Sequence, residues 1–353
     1  MKFKKMICFA LGLSLALGLC ACNKSEKYSG DYNNSSGIVG TVGDENIYAF
    51  EFKYYLNLAK TQREEEEGIA DKSASEKKKF WNSEEGGVVR KQALIDDTLK
   101  NLTELKTFLL AAKKDNVKLP QQDIDNIAKS VEDFIKDEAN GNKEEAEKVM
   151  KDKNGVTLDE YRRMYEEYTL AYFNYSTTYP YKIEVDDSDV KKEYENNKDN
   201  YNKVVVKHIL ISTQDEATGQ PFAEEKIAEK KKLAEEILNK AKSGEDFEAL
   251  VKQYSEDKGS IEQGGEYVFG KGQMVTEFEN WSFSAKEGDM DIVKTSYGFH
   301  IMNFIRKANY EDQEMEIKSV LQKQKFSKNL EEIKQKFPLI RNQNEIDSLK
   351  LFE

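Results

Sequence analysis

The chain has 353 residues, 38% of them hydrophobic, with 54 Lys and Arg against 66 Asp and Glu, for a net charge of −12. That balance excludes a nucleic-acid binder, whose phosphate partner demands a basic face, and the length is ample for more than one domain. Three cysteines and two histidines leave little with which to build a disulfide framework or a metal cluster.

Met1-Lys2-Phe3-Lys4-Lys5 is a basic start, and Met6 to Leu19 is an apolar run too short to span a bilayer. Together they read as an export signal over 1–21. It ends in Leu19-Cys20-Ala21-Cys22, which resembles the bacterial lipobox with Cys22 as the lipidated first mature residue. Cys20 is the rival, but Leu19 before it is bulkier than the small residue usual at the cleavage position. Processing at Cys22 removes three lysines, taking 54 basic residues to 51 against 66 acidic ones, a net charge of −15. It also leaves one acylated cysteine and no disulfide. Residues 22–37, rich in Ser, Asn, Gly and Tyr without periodicity, read as a flexible tether.

Ile38 to Phe52 alternates like a hairpin turning at Gly43-Asp44-Glu45-Asn46, and a helix starts within Phe50 to Leu58. Glu64 to Glu67 and Lys77 to Lys79 read as solvated charge runs. Ile95, Leu99, Leu102 and Leu109 mark a long helix, and Pro120 opens another with Ile124, Ile127, Val131 and Ile135 on one stripe. Thr157 and Glu160 form a capping box. Behind it Tyr161, Tyr165, Tyr168, Tyr172, Tyr175 and Tyr179 recur at spacings of three and four until Pro180 stops the helix. This aromatic seam serves either inter-helix packing or a wall for extended unfolded segments. Val185 to Tyr201 is a connecting helix.

Both histidines fall between Lys203 and Lys307. Val204 to Ile211 is a strand pattern with Val206, His208 and Leu210 on one face, and Gly298 to Ile305 is a second with His300, Met302 and Phe304 on one face. If the strands are neighbours, two imidazoles meet on a hydrophobic sheet. Between them lie a polar loop, a helix with Ile227, Ala234, Ile237, Leu238 and Ala241 on its stripe, and a second with Phe247, Leu250, Val251 and Tyr254. A Gly264-Gly265 turn and a short element containing Phe278 and Trp281 follow. The whole is an α+β unit.

The ordered pieces His208-Ile-Leu-Ile, Phe247-Glu-Ala-Leu-Val, Ser255-Glu-Asp, Gly264-Gly, Gly270-Lys-Gly-Gln-Met, Glu277-Phe-Glu and Thr295-Ser-Tyr-Gly-Phe-His together resemble the parvulin family of peptidyl-prolyl cis/trans isomerases. With its lipoprotein-like start and helical flanks, the whole chain is similar to PrsA-type foldases and more distantly to SurA-type chaperones. The resemblance implies that His208, Asp257, Thr295 and His300 are the catalytic set and that Met274, Phe278 and Phe269 bind the proline. It implies no cofactor and no metal. Two departures stand out: Gly264-Gly265-Glu266-Tyr267-Val268-Phe269 lacks the last glycine of the family's turn, and Thr276 stands where many relatives have proline.

Read from the residues alone, two histidines on apolar strand faces are also what satisfied core residues look like, Met274 and Phe278 could be plain core, and Asp257 a plain turn residue. A metal lacks a further histidine or a nearby cysteine to complete its ligands, and no G-x-S-x-G elbow supports hydrolysis.

Beyond Lys307, Ile317, Val320, Leu321, Phe326, Leu330, Ile333 and Phe337 form a helical stripe with nothing downstream large enough to bury it. The resembling foldases return this helix to the N-terminal helices. The expected plan is therefore an α+β chain: a mostly helical chaperone domain over 38–202, a parvulin-like domain inserted at 203–307, and a C-terminal helix at 308–353 packing back. The expected function is an extracytoplasmic foldase, lipid-anchored to the cell membrane, isomerising X-Pro bonds in unfolded exported polypeptides. A homodimer, a binding-only chaperone and a helical surface scaffold remain open.

Overall fold

Val39, Val42 and Ile47 are fully buried at a tight hairpin, and they belong to the largest buried apolar cluster. The computed structural model describes residues 37–352; the export signal, the lipobox and Cys22 lie outside them. One unit is built from the chain up to Ile183 and again from Lys323, and the other runs from Glu184 to Gln322. The second is thus wider at both ends than the 203–307 stretch that carries the resemblance.

In the first unit, antiparallel strands β1 (Ile38–Val42) and β2 (Glu45–Tyr48) lead into helices α1 (Ala49–Glu66) and α2 (Ala74–Trp81). A two-rung ribbon, β3 (Glu84–Glu85) and β4 (Val88–Val89), precedes α3 (Arg90–Lys114). Then come α4 (Gln121–Ala139), α5 (Lys143–Asn154) and α6 (Leu158–Tyr168). Pro120 caps α4, where its missing N–H costs nothing, and the Thr157–Glu160 capping box starts α6. The tyrosine-bearing helix does not continue as one α-helix to Pro180. Thr169–Thr178 widens to π-type turns and Tyr179–Lys182 tightens to a 3₁₀ turn. Hydroxyls there compete for the backbone carbonyls: Ser176 and Thr177 both donate to the Tyr172 carbonyl, at 2.8 and 2.7 Å, and Thr178 donates to that of Phe173. The seam itself is largely used in packing. Tyr175 is fully buried, its ring 5.2 Å from that of Phe326 and its hydroxyl donating to Asp115 at 2.7 Å. Leu99, Leu102, Leu109, Phe326, Leu330 and Ile333 share its core.

In the second unit, α7 (Asp187–Asn196) precedes the long strand β5 (Lys203–Ser212), helices α8 (Glu224–Lys242) and α9 (Phe247–Tyr254), strand β6 (Glu266–Gly270), helix α10 (Thr276–Ser284), and strands β7 (Met290–Lys294) and β8 (Gly298–Lys307). The strands make one antiparallel sheet in the order β6-β5-β8-β7. Strand alternation gives that sheet two apolar faces. Ile209, Ile211, Phe299 and Ile301 pack with Ala234, Ile237, Leu250 and Val251 of α8 and α9. Val204, Val206, Met302 and Phe304 face the other way, toward Phe269 and Phe278. Helix α11 (Glu314–Lys336) carries Ile317 in a small cluster with Val185, Val190 and Tyr201, and the chain closes with β9 (Ile340–Arg341), paired to β1, and α12 (Gln343–Ser348).

Candidate active site

The two central strands place the histidines. Their register pairs His208 with Met302 and Leu210 with His300, so the imidazoles are diagonal neighbours on one face, within reach of side chains of this length. Their Nδ1 atoms stand 3.1 Å apart and the rings stack at 5.3 Å with a 22° tilt. Both side chains are buried, at 2% and 6% exposure.

Asp257 is brought beneath His208 by the residues just before it. Ser255 Oγ accepts the Leu210 N–H at 3.3 Å, the Glu256 N–H donates to the Leu210 carbonyl at 2.8 Å, and the Glu256 carboxylate accepts the Ser212 N–H at 2.6 Å. The loop is thereby stitched to β5. On the far side, the Gly265 carbonyl accepts the His208 N–H at 2.9 Å. That approach needs glycine, because φ is +78° and a Cβ would sit 2.4 Å from the His208 carbonyl oxygen.

The polar groups form one chain. Asp257 Oδ2 lies 2.9 Å from His208 Nε2, and Thr295 Oγ1 lies 2.8 Å from His300 Nε2 while accepting the Tyr297 N–H at 3.1 Å. With both rings neutral, one pattern of protons satisfies every link. Thr295 donates to His300 Nε2, His300 Nδ1–H donates to His208 Nδ1, and His208 Nε2–H donates to the Asp257 carboxylate. The hydrogen bond from His208 holds the Asp257 carboxyl well below the usual carboxylate range, and Ser260 and Tyr267 add to this. Burial, reinforced by the neighbouring His208, lowers His300 to about 3, so it is neutral at physiological pH.

An apolar wall adjoins this chain. The Phe278 ring meets His208 edge-on at 5.4 Å and His300 at 5.3 Å. Met274, half-buried, belongs to the same cluster, and Phe269 lies one layer further in, fully buried against Phe278 and Phe283. The loop bearing Met274 is cross-tied: Gln273 Oε1 accepts the Gly270 N–H at 2.8 Å and Glu279 accepts the Gly272 N–H at 2.5 Å. An apolar wall beside fixed hydrogen-bonding groups suits a reaction in which a bond rotates and none is broken.

His208, Asp257, Thr295 and His300 are therefore joined in one network, with Phe278 against it and Met274 packed on the apolar cluster that holds Phe278. Two further members had no site role assigned from the sequence, Ser260 and Tyr267, both of which donate to Asp257 Oδ2, at 2.6 and 3.0 Å. Ser260 could have been found as a hydroxyl three residues beyond an aspartate, the spacing of a local turn. Tyr267 carried no such signal, since its segment reads as a turn. Among the described residues, no group of three or more His, Cys, Asp or Glu side chains is placed to hold a metal.

Residues 191–308 match the family described as the PPIC-type PPIase domain. The chain is 26% identical over 302 residues to the foldase protein PrsA of Caldanaerobacter subterraneus subsp. tengcongensis, covering 85% of this chain and 81% of that protein. It is 37% identical over 150 residues to foldase protein PrsA 4 of Bacillus cereus, covering 41% of this chain and 45% of that protein, less than half its length. The crystal structure of PrsA from Bacillus subtilis aligns over 86% of this chain and 92% of its own at 24% identity, with a TM-score of 0.31. Residues 191–308 thus carry a PPIC-type, parvulin-like PPIase domain, and over most of its length the chain is similar to PrsA foldases.

Proposed function

We propose that the isomerase works at the His208–His300 face, with the proline ring held against Phe278 and Met274, and that its clients are unfolded exported polypeptides reached from a lipid anchor at Cys22. The observation that carries the site is the edge-on seating of Phe278 against both imidazoles. Resonance sets a rotational barrier of ~18–20 kcal/mol on the X-Pro amide. Catalysis then means binding the twisted amide better than the planar one. The apolar wall grips the pyrrolidine ring, which lies on one side of the twisting bond. The histidine chain offers fixed dipoles to the other, and in so dry a site they need no reorganisation as the carbonyl turns. A thousandfold acceleration asks for only ~4 kcal/mol of such preference.

The test is a prolyl-peptide exchange assay on the protein, over a panel with acidic, basic and apolar residues before proline. Uncatalysed exchange takes ~10–100 s at 25 °C, so modest catalysis is visible. Acceleration that disappears in Met274→Ala with the fold intact supports the site; acceleration unchanged in both Met274→Ala and Phe278→Leu refutes it. For the anchor, Cys22→Ala should abolish fatty-acyl labelling and membrane fractionation together, since the buried acyl chain supplies ~0.8 kcal/mol per CH₂.

A further inference from the structure

We infer that Tyr267 and Ser260 are positioning residues for this reaction, holding Asp257 as a pure acceptor so that His208 presents a fixed Nε2–H tautomer. The inference rests on the site proposed above. Its geometry is crowded on one oxygen: Asp257 Oδ2 takes the Ser260 hydroxyl at 2.6 Å, the Tyr267 hydroxyl at 3.0 Å and the His208 ring nitrogen at 2.9 Å. The other oxygen, Oδ1, takes the Gly259 N–H at 3.2 Å. An acceptor given four donors has no use for a proton of its own, and each donor favours the ionised form.

The two hydroxyls reach Asp257 from different elements. Ser260 sits in the turn after it, whereas Tyr267 lies on β6, whose pairing with β5 sets Tyr267 opposite Val206. The Tyr267 ring also lies 5.3 Å from the His208 ring and belongs to the apolar cluster of Phe278 and Met274. It therefore fixes the base of the chain through its oxygen and walls the site with its ring. Burial, with the Asp257 carboxylate beside it, raises Tyr267, so its hydroxyl stays a donor. The remaining charged groups near this corner are committed elsewhere: Lys258 pairs with Glu216, and Glu256 with Lys230. His300 faces Asp257 only across His208.

The protein has two histidines, so the full chain labelled with ¹⁵N-histidine shows four ring nitrogens, which can be read without any activity. The expected wild-type pattern is His208 protonated at Nε2 and His300 at Nδ1, with the ring signals reporting the acid transition of Asp257, which lies well below the usual carboxylate range. Tyr267→Phe keeps the ring and removes one donor, and should move that transition up by about one pH unit. Tyr267→Phe with Ser260→Ala should move it further. In the exchange assay the single variant should lose severalfold in kcat with KM little changed, because the socket is intact. A packing role alone would leave the transition where it was. The inference is overturned if the double variant, folded, keeps the wild-type ring pattern and transition. Those spectra decide it even if the wild-type protein proves inactive on every peptide, an outcome that would instead remove the proposed site.

Discussion

The Phe278 ring stands at right angles to the His208 imidazole, centroids 5.4 Å apart at 88°, and touches His300 in the same way. One apolar side chain thus sets the distance between the hydrophobic wall and the polar chain. Phe278 is 3% exposed and anchors α10 to the sheet, whereas Met274 is half-buried on the loop before that helix.

Their truncations should separate. Met274→Ala removes flexible wall and should cut kcat/KM about tenfold or more with little change in unfolding, whereas Phe278→Ala opens a core cavity worth ~3–5 kcal/mol and loses both. Paired exchange assays and urea unfolding curves read the two effects. Equal stability loss in both variants would place Met274 in the core and not at the site.

Acid should weaken the second unit in a way that traces to His300. Burial depresses this histidine to about 3 from its ordinary 6.5. As pH falls below 6.5 the unfolded chain takes up the proton first, so the stability the neutral ring contributes is complete above that pH. It drains away toward pH 3, by on the order of 4 kcal/mol. Asp257, held below the carboxylate range, adds a further loss below its ordinary 3.8. Urea midpoints at pH 7.5, 5.5 and 4 should fall more steeply in the wild type than in His300→Gln. Parallel slopes would mean that His300 does not titrate this way.

Much of this site was legible in the sequence because its parts are periodic. His208 and His300 sit in long strand patterns whose alternation fixes their shared face, and β5 and β8 appear over nearly the expected residues. The edge strands were not legible. Glu266 to Gly270 is five residues with Phe269 alone fully buried, and Met290 to Lys294 is equally short, so neither shows a pattern until its neighbour pairs with it. Tyr267 was hidden for that reason. The π-type turns over Thr169–Thr178 were hidden for another: tyrosines at spacings of three and four suit either winding, and three hydroxyl-to-carbonyl bonds decide it.

Gly264 and Gly265 look alike in sequence, and they should respond differently to alanine. Both have positive φ, at 65° and 78°. An added Cβ at Gly264 first meets the middle of the Glu248 side chain at 3.0 Å, which can swing away, leaving a backbone cost of ~1 kcal/mol. At Gly265 it meets the His208 carbonyl oxygen at 2.4 Å and Val251 at 2.8 Å, so β5 itself must move. Gly265→Ala should therefore destabilise the unit by several kcal/mol and abolish isomerisation, while Gly264→Ala retains most of both. Comparable losses in the two variants would show that positive φ, and not the approach to His208, dominates.

In the helical unit, Lys106 is fully buried, its ammonium 2.8 Å from Glu51 and 2.5 Å from Glu167, and Glu167 also accepts from Arg163 at 2.8 Å. The two carboxylates are not equal partners. Burial presses both toward the neutral form, but Lys106 and Arg163 together outweigh it at Glu167, whereas at Glu51 burial and the nearby Glu167 charge outweigh Lys106 and the Tyr48 N–H, and it rises. Lys106, pressed down by burial, is raised on balance by its two acids. Lys106→Met should then cost ~3–5 kcal/mol, because it strands buried carboxylates, a loss much larger than that for an exposed pair. Glu51→Gln should cost little, since the glutamine is isosteric and the cluster keeps Lys106 with Glu167. Adding Glu51→Gln to Lys106→Met should recover part of the loss, leaving Glu167 to Arg163. Hydrogen exchange of the Leu99 to Leu110 amides measures all three variants in the unit that contains them. No recovery in the double variant would mean that Glu51 is already neutral in the native state and that Lys106 is held by Glu167 alone.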